Sequence, residues 1–153
     1  MPENSNNTPW VVLKFGGTSV SQKHRWDTIG QLIQERAAQE QVRVLVVVSA
    51  LSGVTNQLQS LIDRADDDAF LAETCRHLTE RHLQFARELD VPEQVLSERL
   101  AQLQALLADE RRSNRSFDWQ AELLSQGELL SSTLGVAYLQ SRQLPVAWLD
   151  ARD

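Results

Sequence analysis

Val11-Val12-Leu13-Lys14-Phe15-Gly16-Gly17-Thr18-Ser19-Val20 carries a short apolar strand that ends on a lysine, turns through two glycines and meets a Thr-Ser pair ahead of an amphipathic helix. In an open α/β sheet, ligands bind at the carboxyl ends of the strands. A fixed positive charge and a row of unobstructed backbone N–H groups at such an end suit a phosphate. The string matches neither G-x-x-x-x-G-K-[ST] nor G-x-G-x-x-G, so the two common nucleotide loops do not account for it. Read locally, Lys14 has two roles open to it, a phosphate ligand or a solvated charge closing a core strand, and Gly16-Gly17 has a second reading as a plain turn.

Working outward, Trp10 to Phe15 reads as the first strand, apolar and closed by glycines. From about Gln22 to Glu40, Trp26, Ile29, Ile33 and Ala37 mark one helical face. Val42 to Val48 is the second strand, and its run Val44-Leu45-Val46-Val47-Val48 lacks polar alternation, which predicts a strand covered on both faces as in a parallel sheet. Strand, helix and strand form a βαβ unit of the right-handed kind. After the loop Ser49-Ala50-Leu51-Ser52-Gly53, Ser52 is placed to cap a helix bearing Val54, Leu58, Leu61 and Ile62. Beyond Asp66-Asp67-Asp68 a longer helix is striped by Leu71, Cys75, Leu78, Phe85 and Leu89. Past Pro92, read as lying in a first helical turn, another carries Leu96, Leu100, Leu103 and Leu107. A last helix, Asp118 to Ser141, has an apolar face (Leu123, Leu130, Leu134, Tyr138) and a small or polar one (Ala121, Ser125, Glu128, Ser132, Gly135). Val146-Ala147-Trp148-Leu149 reads as a third strand. Three strands against five helices is a thin sheet, and a stop at Asp153 just past a strand suggests a truncated domain. The expected division is a disordered lead-in over 1–9 and one partial α/β domain over 10–153.

Composition narrows the function. A chain of 153 residues can bury roughly 70% of its unfolded surface as one domain. Fifteen basic and twenty-one acidic residues give a net charge of −6, which argues against nucleic-acid and membrane-surface partners, a local basic patch aside. The single cysteine, Cys75, excludes an internal disulfide framework and is compatible with a reducing, cytoplasmic setting. No apolar run approaches the ~20 residues of a membrane span, and Met1 to Pro9 lacks the basic and apolar regions of a secretory signal.

Lys14-Phe15-Gly16-Gly17-Thr18-Ser19-Val20 resembles the N-terminal signature of the aspartokinases, in the amino-acid kinase family. Val48-Ser49-Ala50-Leu51-Ser52-Gly53-Val54-Thr55-Asn56 is similar to that family's second loop and helix start. Glu122-Leu123-Leu124-Ser125-Gln126-Gly127-Glu128-Leu129-Leu130-Ser131 resembles its E-x-x-x-x-G-E-x-x-S helix, and Asp150-Ala151-Arg152 the sequence after its next strand. The segments follow the family's order and span essentially the whole chain. Ser21 to Ile29, with His24-Arg25-Trp26, looks most like aspartokinases fused to diaminopimelate decarboxylase.

The resemblance implies a three-layer αβα amino-acid kinase fold with a mainly parallel sheet, here its N-terminal portion only. It implies ATP-dependent phosphorylation of the L-aspartate side-chain carboxylate, the first step toward lysine, threonine and methionine. Mg²⁺ would arrive with the ATP, the chain holding no metal of its own, and the full-length protein would be a homo-oligomer. By resemblance Lys14, Phe15, Gly16, Gly17, Thr18 and Ser19 meet the ATP phosphates. Lys14 and Ser49 are catalytic, and Ser49, Thr55 and Glu128 hold aspartate. The alternatives are another amino-acid kinase, acting on glutamate or acetylglutamate, and a non-catalytic binding or regulatory module. The 153 residues alone are expected to have little or no activity, because in the family the later half of the domain holds most of the adenine site.

Other features read as structural. Glu122 lies about 240° around the helix from Glu128, so the two are no acid/base pair. His77 and His82 are five apart and share no metal-binding face. Cys75 reads as a small buried hydrophobe, Asp66 to Asp68 as a solvated turn, and Arg111, Arg112 and Arg115 as cations at a helix end.

Overall fold

A computed structural model describes residues 8–39 and 41–152. The lead-in expected over 1–9 falls outside them except for Thr8 and Pro9, as do Glu40 and Asp153. The order of elements is β1 (Trp10–Phe15), α1 (Gly17–Val20), α2 (Lys23–Gln39), β2 (Arg43–Val48), α3 (Val54–Asp63), α4 (Asp68–Glu88), α5 (Ser97–Leu107) and α6 (Phe117–Ser141). Short 3₁₀ turns at Glu93–Leu96 and Glu110–Arg112 lead into α5 and toward α6.

β1 and β2 are parallel neighbours, with Lys14 opposite Val47 and Phe15 opposite Val48. Both strands alternate between exposed and half-buried residues. Leu13, Phe15, Val44, Val46 and Val48 turn to the core, where α2 and α6 pack. Trp10, Val12, Leu45 and Val47 lie on the opposite face and stay largely exposed. The expectation that β2 is covered on both faces therefore fails within these residues. An unbroken run of branched aliphatics records that both faces are apolar, and one of them has no layer against it here.

The third strand is also not formed. A strand needs a ladder partner, and the Val146 backbone is engaged otherwise: its N–H donates to the Leu144 carbonyl two residues back, and its own carbonyl accepts from Gln140 Nε2 at the end of α6. Trp148 docks on the helices, with Nε1 donating to Ser132 Oγ at 2.9 Å and the Arg99 guanidinium 4.6 Å from its ring centroid.

The expected helices are all present. Trp26, Ile29 and Ile33 are buried on α2, but Ala37 is exposed, so the stripe ends a turn early. α3 starts from Gly53 rather than Ser52: Gly53 takes φ +80, a left-handed conformation open to glycine, with no side-chain cap. Ser52 turns its N–H to Ser21 Oγ instead. Pro92 precedes the 3₁₀ turn that leads into α5 instead of lying in a helical first turn. On α6, Leu123, Leu130, Leu134 and Tyr138 are buried as the pattern predicts, but Gly135 is buried too, beneath Trp26.

The two charge clusters find each other. Arg115 pairs with Asp66 and also donates to the Ile62 carbonyl, and Arg112 pairs with Asp68. Asp67 caps α4 through the Phe70 N–H and pairs with Arg64. Arg111 binds Asp109 and, with two guanidinium nitrogens, Glu122. Together these pairs tie the α3–α4 turn to the loop that precedes α6. The acidic trio is thus an exposed turn, as expected, whose carboxylates also form surface ion pairs.

Candidate active site at the strand ends

The carboxyl ends of β1 and β2 lie side by side, and Ser49 N–H continues the ladder to the Phe15 carbonyl at 3.0 Å. Beyond Phe15 the chain makes the single tight turn of α1, in which Ser19 and Val20 donate to the Gly16 carbonyl. Among the described residues the N–H groups of Gly16, Gly17 and Thr18 have no protein acceptor. A Cβ at Gly16 would meet nothing within 4 Å, and Gly16 has an ordinary extended conformation (φ −78, ψ 172). Its missing side chain is not demanded by the fold; it leaves the backbone open to an incoming group.

Gly17 is different. A Cβ there would sit 2.9 Å from the Ala50 carbonyl oxygen and 3.3 Å from the Ser52 nitrogen, so only glycine lets α1 press on the Ser49–Gly53 loop. The same loop is pressed from the other side by α6. A Cβ at Gly127 would lie 2.7 Å from Ala50 Cβ, and both Ala50 and Leu51 are buried. Ser131 Oγ reaches the Ser49 carbonyl at 2.7 Å and the Glu128 carbonyl at 2.9 Å.

Phe15, Gly16, Gly17, Ser49 and the α6 turn of Glu128 are therefore brought together by direct contacts. Glu128 itself is exposed between buried Gly127 and Leu129. Thr55 is exposed in the first turn of α3, two residues past Gly53, where its N–H and that of Asn56 have no acceptor among the described residues. Thr18 is exposed and Ser19 half-buried in α1. Lys14 stands on the uncovered face of the sheet with Trp10 and Val12, and no hydrogen bond or ion pair joins it to Thr55 or Glu128 among the described residues. Among the described residues no group of three His, Cys, Asp or Glu side chains could hold a metal ion.

Sequence reasoning gave Ser21 and Ser131 no role. Ser131 stands in the quoted α6 motif, and its three-residue offset from Glu128 on one helix face was the signal available. Ser21 offered none, because its partners depend on the loop coming back from β2.

Elsewhere, Glu122 is held by Arg111, which pulls its carboxyl below the ordinary range, in keeping with a structural role. His82 is completely buried; Nδ1 meets the Leu78 carbonyl at 2.7 Å and Nε2 has no hydrogen-bond partner among the described residues. Burial pushes the Cys75 thiol up, as for an inert core sulfur. A groove of about 700 Å³ between α4 and α5, lined by Leu71, Cys75, Thr79 and Leu107, shares no lining residue with the strand-end site. No helix of the described residues is long and apolar enough to cross a membrane.

Residues 9–153 match the model of the Amino acid kinase family. Lysine-sensitive aspartokinase 3 of Escherichia coli K12 is 34% identical over 147 residues, which take in 93% of this chain and 31% of that protein. The chloroplastic bifunctional aspartokinase/homoserine dehydrogenase 1 of Arabidopsis thaliana is 31% identical over 153 residues, 94% of this chain and 16% of that one. A crystal structure of E. coli aspartokinase III in complex with aspartate and ADP superposes with a TM-score of 0.75 at 28% identity, over 94% of this chain and 31% of that chain. The chain thus spans less than a third of the length of these relatives.

Proposed function

Because the chain belongs to the amino acid kinase family and has its fold, we propose that it is the N-terminal part of the catalytic domain of an aspartokinase, running from residue 10. In the whole protein the enzyme transfers the γ-phosphoryl group of ATP to the side-chain carboxylate of L-aspartate, giving 4-phospho-L-aspartate. One observation carries this reading: the Gly16-Gly17 turn and the α6 turn of Glu128 are both packed on the same Ser49–Gly53 loop. A phosphate cradle and an acidic residue suited to an ammonium group are thereby held as two halves of one site.

The chemistry asks for little acid–base help. An aspartate carboxylate, with a pKa of about 3.9, is ionised at neutral pH and needs no general base. One of its oxygens bonds to the γ-phosphorus, the bond to the β-phosphate oxygen breaks, and ADP leaves with that electron pair; no proton moves. The obstacle is the approach of an anion to a polyanion, so positioning and charge neutralisation dominate. Lys14 supplies a flexible point charge for the phosphoryl oxygens. Its place on the uncovered face calls for a nucleotide that reaches around the end of β1. Gly16, Gly17, Thr18 and Ser19, with Phe15 behind them, offer N–H and hydroxyl groups to the phosphates. Ser49 stands beside the transferring group. Thr55, in the first turn of α3, offers hydroxyl and N–H to a substrate carboxylate, and Glu128 pairs with the α-ammonium that marks an amino acid. Mg²⁺ enters as MgATP.

The exposed apolar face of Trp10, Val12, Leu45 and Val47 supports a further part of the proposal. In the whole protein, residues following this chain supply the second helical layer and most of the adenine site. The isolated 153 residues then have little or no activity. We further propose a cytoplasmic homo-oligomer acting in the lysine branch of amino-acid synthesis; some plant relatives are named as chloroplastic.

The test is a coupled assay of the full-length protein for ADP release with aspartate, glutamate and acetylglutamate. Aspartate alone is expected to support turnover. Preference for either other acceptor would replace aspartokinase by a sister activity, and turnover by the purified 153 residues at the full-length rate would refute the division of the site.

A further inference from the structure

The Ser49–Gly53 loop is pinned from two sides by hydroxyls that the proposed chemistry does not use. On the β1 side Ser21 Oγ donates to the Gly17 carbonyl at 2.5 Å and accepts the Ser52 N–H at 2.8 Å. On the α6 side Ser131, 1% exposed, directs Oγ at the Ser49 and Glu128 carbonyls. A serine hydroxyl carries one proton, so those two carbonyls share it, with Ser49 the nearer. The Glu128 bond is the ordinary reach of a helical serine to the preceding turn. The Ser49 bond spans 82 positions of sequence and is the one that joins elements.

Between these pins Ala50 has no freedom. Its carbonyl lies against Gly17 and its methyl against Gly127, each at a distance that excludes one more carbon. A shift of the loop therefore moves either the phosphate turn or the Glu128 turn. Phosphoryl transfer rewards such rigidity, since misplacing reactants by about 1 Å can cost about 100-fold in rate.

We propose that Ser21 and Ser131 are positioning residues that fix the nucleotide half of the site against the aspartate half through the Ser49–Gly53 loop, without touching either substrate. This rests on the aspartokinase reading given above. Its signature is a loss in kcat with little change in either KM, because each half-site stays intact and only their relation loosens.

The experiment uses the full-length protein and its S21A, S21T and S131A variants, assayed well below their melting temperatures. We expect S21A and S131A to lower kcat about tenfold or more while KM for aspartate and for MgATP stays within about twofold; S21T, which keeps the hydroxyl on a half-buried site, restores kcat. Amide hydrogen exchange followed by NMR should show the Ser52 N–H exchanging at least about tenfold faster in S21A, since that donor loses its acceptor. An unchanged kcat in both alanine variants, a change confined to KM, or an unchanged Ser52 exchange rate would overturn the proposal. If S131A does not fold, S21A and S21T decide it. A wild-type protein that leaves aspartate unphosphorylated would instead overturn the functional reading, and Ser52 exchange would still judge the pin.

Discussion

Replacing Gly135 by alanine should destabilise the protein, although the substitution improves helix propensity. A Cβ at Gly135 would lie 2.0 Å from Cη2 of Trp26, 2.5 Å from Cζ3 and 2.7 Å from Cζ2. Carbon atoms rest at about 3.5–4.0 Å, so the indole must retreat by more than an ångström. That retreat disturbs a side chain that is 2% exposed and whose Nε1 donates to the Val20 carbonyl at 2.9 Å. Overpacking of this kind costs about 1–3 kcal/mol, and weakening the indole hydrogen bond about 1 kcal/mol more. Alanine returns about 1 kcal/mol of helix propensity. The balance is a loss of about 2 kcal/mol, which for a chain of this size lowers Tm by about 4–8 °C. Urea unfolding followed by tryptophan fluorescence, with a thermal melt, measures both. Val20 closes α1, so displacing Trp26 also disturbs the phosphate turn. G135A as stable as the wild type, or more so, would show that α6 does not seat its small residue on Trp26.

Gly16→Ala is the contrasting case: with open space and an ordinary φ it should change unfolding free energy by less than about 0.5 kcal/mol, yet in the full-length enzyme raise the KM for ATP severalfold by blocking the approach of a phosphate. A normal KM would leave Gly16 without a ligand. Lys14→Met on the exposed face should spare stability and lower kcat by the equivalent of about 3 kcal/mol, as when one preorganised charge partner is removed; steady-state kinetics with wild-type kcat would take Lys14 out of the mechanism. Glu128→Gln should act mainly on the KM for aspartate, and an unchanged value would count against its contact with the ammonium group. His82 gives a pH test. Burial holds its imidazole below the ordinary range, outweighing the Leu78 carbonyl that raises it. The unfolded chain then takes up a proton near pH 6.5 that the folded chain resists. Stability is full above that pH and falls below it by up to about 1.4 kcal/mol per unit. Urea titrations at pH 7.5, 6.5 and 5.5 should show this slope in the wild type and its loss in H82L; equal slopes would mean that His82 is not the group responsible.

What the sequence made legible was whatever one segment decides for itself. The apolar runs of β1 and β2, the 3.6-residue stripes of α2, α4 and α6 and the glycine turn after Phe15 are local, and each element formed where its pattern placed it, the α2 stripe stopping a turn short at Ala37. Statements that needed a second segment fared worse. Val146–Leu149 has the composition of a strand, but composition supplies no ladder partner, and Trp148 found Ser132 and Arg99 instead. Gly135 shares a helical face with small residues that looked open; only the position of Trp26, more than a hundred residues earlier, closes it. Arg112 and Arg115 could be read as helix-end cations, yet their carboxylate partners are 44 and 49 positions away. The candidate site falls between these cases. Its residue types were visible because each motif is short, whereas its cohesion was not, because the Ser49–Gly53 loop is defined by what presses on it. Gly17 and Gly127 are glycines for one and the same Ala50, a relation that no periodicity reports. That shared neighbour makes two motifs more than a hundred residues apart into one site. A carbon added at either glycine should therefore disturb both halves, whereas one added at Gly16 should disturb only the half that binds phosphate.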